Sequence, residues 1–403
     1  MSLRFALFYH SVRSDWNHGN AHFLRGMVRS LVQMGHEAVV YEERRGWSVS
    51  NLVAEHGLSP LVAFRRRFPF VTTRLYDPTP TETAALERRL AEELAGVDVV
   101  VVHEWPGVEN PQLVELLARL KRRCGFLLFF HDTHYRILTQ PEAVERLGLE
   151  RFDSVLAYGP SIAAEYRRRG VADVHVVHEA ADVALFHPAP PDLERPVDDA
   201  LFIGNWGDED RARELREYLL RPARRFRGAR RFAIYGVRYP PEVLDQLRRH
   251  YGVEYRGWLP NADAPQAFAQ TRVALHVVRQ QYMQALPGIP TIRVFEALAC
   301  GTALVSTRWP DVDGLFREGQ DYLVVDTKKD MLEALDWLWH DHDAREKLGR
   351  SGVARVLAHH TCRHRAEQLL TIVARLRQPQ TAIAVPSPQQ KAISAPRHAA
   401  LAR

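Results

Sequence analysis

One stretch in the second half of the chain carries the residue types that bind phosphate and hydroxyl groups. It reads LPGIPTIRVFEALACG over residues 286–301. The Gly-Ile-Pro turn predicts a loop, and the apolar spacing that follows predicts a short helix ending at Gly301. Helix N-termini attract phosphates, and a carboxylate one turn inside the helix can hold a ribose diol. With Arg293 and Glu296 in this helix, the stretch indicates a nucleotide-sugar site.

Further candidates for the same site follow three predicted strands of the second half. Arg279 could hold an oxyanion in its planar fork, or else form a surface ion pair. The run GNWGDEDR brings Asn205 and Arg211 to a glycine-rich turn, although such turns are common in α/β folds. In YRGWLPN, Gly257 and Trp258 could meet a base, or the indole could simply cap the next helix.

Histidines and acids end the strands predicted in the first half, which suggests the wall of a polar cleft. They are His10, Glu42 and Glu43, His103 and Glu104, and His131 and Asp132. Each could instead cap a helix or satisfy a loop amide. The loop after the first strand lacks GxGxxG, so NAD and FAD are not expected. Around Gly19 that loop could offer backbone amides to a diphosphate or sugar, or merely carry an Asn cap.

Several chemistries are not indicated by the sequence. The run HEW at His103 does not match the zinc motif HExxH, and the DxD-like run Asp311-Val312-Asp313 follows a Trp-Pro turn. The serine-nucleophile motif GxSxG is absent from the sequence. We therefore expect neither a metal cofactor nor a serine triad. Three scattered cysteines favour a reducing compartment, and neither a signal peptide nor a membrane span is predicted, so we expect a cytoplasmic protein. The net charge of +5 suits a diphosphate ligand.

The elements that must position these residues alternate as in βαβ units, which predicts parallel sheets. We predict six strands in each half: 4–10, 38–43, 97–104, 126–132, 154–158 and 174–179, then 200–204, 232–236, 253–257, 273–278, 303–306 and 322–325. The predicted organisation is a Rossmann-like domain over 1–187, a proline-rich linker over 188–198, a second domain over 199–360, a helix over 361–377, and a disordered tail over 378–403.

These residues resemble a known family. PTIRVFEALACGTALVS is similar to the C-domain signature of GT-B glycosyltransferases of the group 1 (family 4) kind. Together with GNWGDEDR, YRGWLPN and HHTCRHRAEQLL, it resembles the CgeB-like (spore maturation protein) branch. The resemblance covers 200–376 closely and 1–190 loosely. It implies two Rossmann-like domains facing across a cleft, with the last helix crossing back to the first domain.

The resemblance also implies roles for particular residues. The nucleotide would bind the second domain and the acceptor mostly the first, and the ribose-binding glutamate of the family corresponds to Glu296. The family pattern has a second acid eight positions earlier, where this chain has Gly288, so neither the donor sugar nor the stereochemistry carries over. The family's Arg-Lys phosphate pair is not evident. Arg211, Arg279 or Arg293 would replace it.

The residues and the resemblance together predict a metal-independent glycosyltransferase of hexosyltransferase type. Arg279, Arg293 and the helix amides near Thr291 would stabilise the departing diphosphate. If the reaction inverts the anomeric centre, His131 or Asp132 would act as the base, with His103 next; retention would need no such base.

Two other hypotheses stay open from the sequence. One is a nucleotide-sugar epimerase with the same fold. The other is a non-catalytic binding protein whose basic runs, Arg65–Arg67 and Arg167–Arg169, contact an anionic surface, although such runs are usually solvated helix faces. A peripheral membrane contact through Arg65–Phe70 is compatible with every hypothesis, whereas a nucleic-acid partner is not expected.

Overall fold

A computed structural model describes residues 2–17, 19–78, 83–189, 197–279 and 286–378. The predicted linker and tail fall largely outside these ranges, at 190–196 and 379–403. No helix among the described residues is both long and apolar enough to cross a membrane.

The first half of the chain forms a parallel sheet of seven strands in the order β3-β2-β1-β4-β5-β6-β7. Its strands are β1 Arg4–Tyr9, β2 Glu37–Glu43, β3 Thr72–Tyr76, β4 Val99–His103, β5 Leu127–Asp132, β6 Ser154–Ala157 and β7 Val174–Val176. β4 reads VVVVH and is buried throughout, as expected for a central strand covered on both faces. The sequence did not predict β3, because this edge strand is mostly solvated and lacks a continuous apolar run.

The second half forms a parallel sheet of six strands in the order β10-β9-β8-β11-β12-β13. Its strands are β8 Asp198–Ile203, β9 Phe232–Tyr235, β10 Val253–Tyr255, β11 Thr271–His276, β12 Ala303–Thr307 and β13 Leu323–Val325. All six predicted strands of this half are present. β8 begins at Asp198, the last residue of the predicted linker.

Helices connect the strands and cover both sheets. In the first half they are α1 Ala21–Gln33, α2 Trp47–His56, α3 Ser59–Arg67, α4 Thr83–Glu93, α5 Glu104–Glu109, α6 Pro111–Cys124, α7 Arg136–Thr139, α8 Pro141–Glu145 and α9 Pro160–Arg168. In the second half they are α10 Glu209–Leu215, α11 Arg221–Arg225, α12 Pro241–Gln246, α13 Ala264–Ala269, α14 Ile292–Ala299, α15 Lys328–His340, α16 His342–His359 and α17 Cys362–Arg377.

Helix α17 returns from the second sheet and packs on α1 of the first. Its start is stabilised by a capping box between Thr361 and His364. A Cβ added to Gly26 of α1 would lie 2.5 Å from Cys362 Sγ, so the missing side chain lets the two helices approach closely. The predicted fold, with two parallel-sheet domains and a crossover helix, is confirmed.

Candidate functional site

A cleft runs between the two sheets at the ends of their strands. It contains about 1080 Å³ of empty space and is lined by residues of both domains. The first domain contributes the loop between β1 and α1, and the second contributes the turns after β8, β9 and β11 together with the start of α14. We call this space the central cleft. Parallel α/β sheets bind ligands at such strand ends.

The loop between β1 and α1 is anchored by an acid at the end of the neighbouring strand. Glu42 is fully buried, and its Oε2 accepts hydrogen bonds from the backbone N–H groups of Val12 (2.8 Å) and Arg13 (3.1 Å). Its Oε1 pairs with Arg13 Nε at 2.9 Å. Glu42 therefore satisfies loop amides and holds the loop in place, which is the structural role that the sequence left open for it.

The two domains meet through this loop. Asp15 accepts hydrogen bonds from the indole N–H of Trp258 at 3.2 Å and from the backbone N–H of Asn261 at 3.1 Å. The carbonyl of Gly19 accepts from the Asn261 amide at 3.0 Å, and Asn17 accepts from the amide of Asn205. The loop thus closes one side of the central cleft against the second domain.

Arg211 lies on the second-domain wall and is buried. Its Nη1 donates to the carbonyl of Val277, and its guanidinium carbon lies 5.4 Å from the centre of the Phe202 ring. Its buried Nε finds no hydrogen-bond partner among the described residues. Burial and the nearby Arg279 lower the pKa of Arg211 to about 10, so it stays charged at neutral pH. A buried cation with a free donor in a cleft is suited to an anionic ligand.

The start of α14 faces the central cleft. Thr291 occupies the N-cap position, but its side chain makes no capping bond; its Oγ1 lies 2.9 Å from His276 Nε2 instead. Burial and the adjacent Arg211 lower the pKa of His276 to about 3, so the imidazole is neutral. Arg279 and Arg293 line the same part of the cleft. Three arginines and a helix N-terminus therefore line one cleft, and the diphosphate assignment stays a prediction.

Glu296 is completely buried and does not line the central cleft. Its carboxylate pairs with Arg293, and its Oε1 lies 2.8 Å from Nδ1 of His22, a residue of α1 in the other domain. Burial alone would raise the pKa of Glu296, but the charge of Arg293 and the contact with His22 lower it below its ordinary value. A ribose could reach this carboxylate only after Arg293 moves aside, and the ribose assignment stays a prediction.

Of the two residues predicted to meet a base, Trp258 lines the central cleft and Gly257 does not. Gly257 has φ +71°, and its carbonyl accepts a hydrogen bond from the backbone N–H of Gly236 at 2.8 Å. The indole of Trp258 is also packed 4.7 Å from the ring of His56. Asn205 and Gly19, predicted on opposite sides of the site, both line the cleft.

A second space adjoins the central cleft on the first-domain side. It has about 1730 Å³ of empty volume, and we call it the first-domain bay. Its wall is rich in rings and polar groups: His10, Trp47, His103, Glu104, Trp105, Thr133, His134 and Tyr135. Arg279 and Thr291 line both spaces, which places the predicted diphosphate region where cleft and bay meet.

The structure separates the three residues predicted as bases. His131 lies beneath the bay wall, where its Nδ1 meets the Tyr9 hydroxyl at 2.5 Å and burial lowers its pKa to about 4. Asp132 accepts hydrogen bonds from the Tyr166 hydroxyl (2.7 Å) and the backbone N–H of His134 (2.8 Å). Neither lines cleft or bay, because these side chains of β5 are enclosed by neighbouring elements. His103 does line the bay, with Nε2 2.7 Å from Thr133 Oγ1.

Two buried carboxyl groups on these walls were not predicted as catalytic residues from the sequence. Burial and the neighbouring Asp132 raise the pKa of Glu104, in the bay, to about 8. Burial and Glu296 raise the pKa of Glu179, in the central cleft, to about 8. Glu104 and Glu179 each end a predicted strand, so the sequence predicted their position at the sheet edge. It did not predict that they are buried.

No three His, Cys, Asp or Glu side chains within the described ranges form a group that could hold a metal ion. The expectation that no metal takes part stays a prediction.

Comparisons with known proteins agree with this geometry. A family model described as Glycosyltransferase Family 4 matches residues 19–185, and one described as Glycosyl transferase-like matches 213–371. The fold is similar to Anabaena HepE in complex with UDP and glucose (12% identity, 93% of this chain and 100% of that chain, TM-score 0.65). It is also similar to sucrose-phosphate synthase from Thermosynechococcus elongatus (16% identity, 93% and 99%, TM-score 0.65). A third similar structure is an alpha-glucosyltransferase in complex with UDP and DNA (12% identity, 93% and 100%, TM-score 0.66).

A comparison with curated protein sequences gave no match. The structural identities are low and show the fold alone, whereas the two family models together span both sheets. The chain is a glycosyltransferase of the GT-B fold, whose two halves match a Glycosyltransferase Family 4 model and a Glycosyl transferase-like model in turn.

Proposed function

We propose that the protein transfers a hexosyl group from a UDP-sugar to an acceptor hydroxyl. The observation that carries this proposal is the convergence of Arg211, Arg279 and Arg293 on the N-terminus of α14 inside the central cleft. UDP as the nucleotide is supported by HepE and the alpha-glucosyltransferase, whose structures contain it.

The arginines would act on the leaving group. As the bond between the sugar and the β-phosphate breaks, negative charge grows on the diphosphate, and fixed cations in a partly dry site stabilise that charge. Arg211 is the best placed for this role, because its buried Nε–H has no partner among the described residues. With this positive charge supplied by the protein, we propose that the transfer proceeds without a metal ion.

The nucleoside would extend from this region along the second-domain wall. Trp258 offers its ring to the base, and Asn205 lines the same cleft. We propose that Arg293 turns from Glu296 to the phosphates when the donor binds. This exchange would release the carboxylate for the ribose hydroxyls.

The acceptor would lie in the first-domain bay. Its mixture of indole, imidazole and carboxyl groups suits a molecule with both apolar faces and hydroxyl groups. For an inverting reaction, His103 is the one of the three predicted bases that lines the bay. His131 and Asp132 lie behind the bay wall and would support it through their hydrogen bonds with Tyr9 and Tyr166. For a retaining reaction, an oxygen of the departing diphosphate would take the proton.

The first experiment measures UDP binding by calorimetry and the hydrolysis or transfer of UDP-, GDP- and TDP-sugars. The test variant is Arg279→Ala. The matched control is Arg272→Ala at the other end of β11, where the side chain pairs with Asp199 at 3.3 Å away from the cleft. We expect UDP affinity to fall at least about ten-fold in Arg279→Ala and to stay unchanged in the control. Equal affinities would contradict the phosphate assignment.

A second variant, Glu296→Ala, tests the ribose. Comparing UDP with inorganic diphosphate separates the two contacts. We expect the variant to weaken UDP binding and to leave diphosphate binding nearly unchanged. If both ligands bind the variant as they bind the wild type, Glu296 serves only to hold Arg293 and His22.

Two finer assignments accompany this function. We propose that the chain belongs to the CgeB-like branch, on the motifs that surround Arg211, Trp258 and Glu296. We propose a cytoplasmic location, because its cysteines are free and scattered. The epimerase hypothesis is not favoured, since both matched family models describe glycosyltransferases.

A further inference from the structure

The two arginine triplets of the first domain have different surroundings. In the triplet at the end of α9, Arg167 donates to the carbonyl of Val174 at 2.8 Å, and Arg168 pairs with Glu165 at 2.7 Å. Arg169 pairs with Glu165 as well, at 2.8 Å. All three arginines are bound by other groups of the protein, so their charge is not available to a partner.

The triplet at the end of α3 is largely unengaged. Arg65, Arg66 and Arg67 are exposed. Arg67 pairs with Asp263 of the second domain at 2.5 Å. Arg65 and Arg66 form no ion pair with any other residue that the structure describes. Their charge is therefore available to a partner.

Apolar side chains stand beside these cations. Leu58 is 66% exposed and Val62 is 56% exposed, which makes them the two most exposed large apolar residues of the first domain within the described ranges. Leu58 directly precedes α3 and Val62 lies one turn into it, a turn before Arg65 and Arg66. We call Leu58, Val62, Arg65 and Arg66 the α3 face. The acid nearest in sequence, Glu55, accepts a hydrogen bond from the Trp16 indole at 2.8 Å.

A cavity opens next to the α3 face, between α3 and the 258–263 turn of the second domain. It contains about 790 Å³ of empty space. Arg66 and Arg67 line it together with the rings of Phe64 and Phe68. Asp15 and Asp263 line it as well and pair with Arg25 and Arg67, so Arg66 is the arginine of α3 in this lining whose charge is not engaged by a described residue.

We propose that the α3 face docks the enzyme on an anionic lipid bilayer, with Arg65 and Arg66 in contact with lipid phosphates. Exposed apolar residues at a helix start and unengaged arginines at its end match the two parts of a membrane surface, the acyl boundary and the anionic headgroups. The docking is distinct from donor chemistry, because none of its four residues lines the central cleft.

Vesicle co-sedimentation tests the proposal with phosphatidylcholine vesicles and with vesicles that contain about 30 mol % phosphatidylglycerol. We expect binding to the anionic vesicles, weakened by salt, and at least about ten-fold weaker binding by Arg65→Glu/Arg66→Glu. Val62→Asp should also weaken binding. Donor hydrolysis in solution should stay at the wild-type rate in these variants, which shows that they are folded and separates docking from catalysis.

The matched control is Arg122→Glu/Arg123→Glu. These arginines are exposed in the last turn of α6, as Arg65 and Arg66 are in α3, but their helix carries no strongly exposed apolar residue. Equal loss of binding in both double variants would show a general charge effect and overturn the proposal. Failure of the wild type to prefer anionic vesicles, or binding of RNA in place of vesicles, would overturn it too.

Discussion

Replacing Arg211 with methionine should change stability and nucleotide affinity in opposite directions. The guanidinium is buried, and its pKa is lowered from 12.5 to about 10. Each ten-fold change in the acid dissociation constant corresponds to about 1.4 kcal/mol, so burial and the repulsion from Arg279, less the attraction of Glu214, together cost the free protein about 3 kcal/mol. A buried cation that destabilises the empty protein is retained, on this reasoning, because it binds an anion.

The gain from removing the charge is offset by what the guanidinium contributes. The hydrogen bond to the Val277 carbonyl and the contact with the Phe202 ring together stabilise the fold by about 2 kcal/mol. Methionine has a similar length and packs against the same ring. We therefore expect Arg211→Met to raise the free energy of unfolding by about 1 kcal/mol. UDP affinity should fall by about 3 kcal/mol, or roughly 150-fold, because a desolvated phosphate loses its charge-assisted partner.

Urea unfolding and calorimetry with UDP measure these two quantities. Arg213→Met is the control in the same helix: its side chain is 72% exposed and pairs with Asp210 at 3.0 Å. Both quantities should stay within about 0.5 kcal/mol of the wild type in the control. In the wild type, saturating UDP should raise the unfolding midpoint, and this shift should nearly vanish in Arg211→Met. A destabilised variant that still binds UDP would refute the reasoning and make Arg211 a structural residue.

Three further predictions concern a helix contact, the Gly288 position and a buried acid. Gly26→Ala should lower the free energy of unfolding by about 2 kcal/mol in urea denaturation, because its Cβ would lie 2.5 Å from Cys362 Sγ. The variant should also expose α17 to proteolysis. An unchanged unfolding midpoint would show that α17 is loosely packed. Gly288→Glu should not add a contact to the donor sugar, because Gly288 has φ +86° and a Cβ would lie 2.6 Å from Pro160 Cγ. We expect the free energy of unfolding to fall by about 2 kcal/mol. Increased transfer activity in this variant would contradict the prediction. For Glu104 the folded pKa, about 8, lies above the ordinary value of 4.5, so the stability it contributes is present below 4.5 and is lost as the pH rises towards 8. Glu104→Gln should therefore match the wild type near pH 5 and be more stable than the wild type above pH 8 in urea unfolding; parallel pH profiles would show that Glu104 is ionised when folded.

Most of the fold was readable from local patterns. Apolar β-branched runs predicted every strand of the second sheet and six of the seven in the first. The exception, β3, is an edge strand in which only Tyr76 is buried, and its sequence TTRLY lacks the apolar run that marks a buried strand. Pairing order was not predicted from local patterns, because it depends on contacts between distant segments.

The candidate site was predictable in composition and less so in arrangement. Arg279, Arg293, Thr291 and Arg211 all line the central cleft, because residues that follow parallel strands share one edge of the sheet. The sequence did not predict which side chains at that edge point into the cleft.

The sequence by itself determined two α/β halves, a helix start with arginines near it, and a glycine where the related pattern has an acid. These properties depend on residue type and short-range spacing. Only the tertiary structure decided which strand-end groups face the ligand spaces: His131 and Asp132 are enclosed, and Glu104 and Glu179 line the walls. The structure also decided that Glu296 meets an imidazole of the other domain. The reason is physical, because the burial and ionisation of a side chain are set by neighbours that lie far away along the chain.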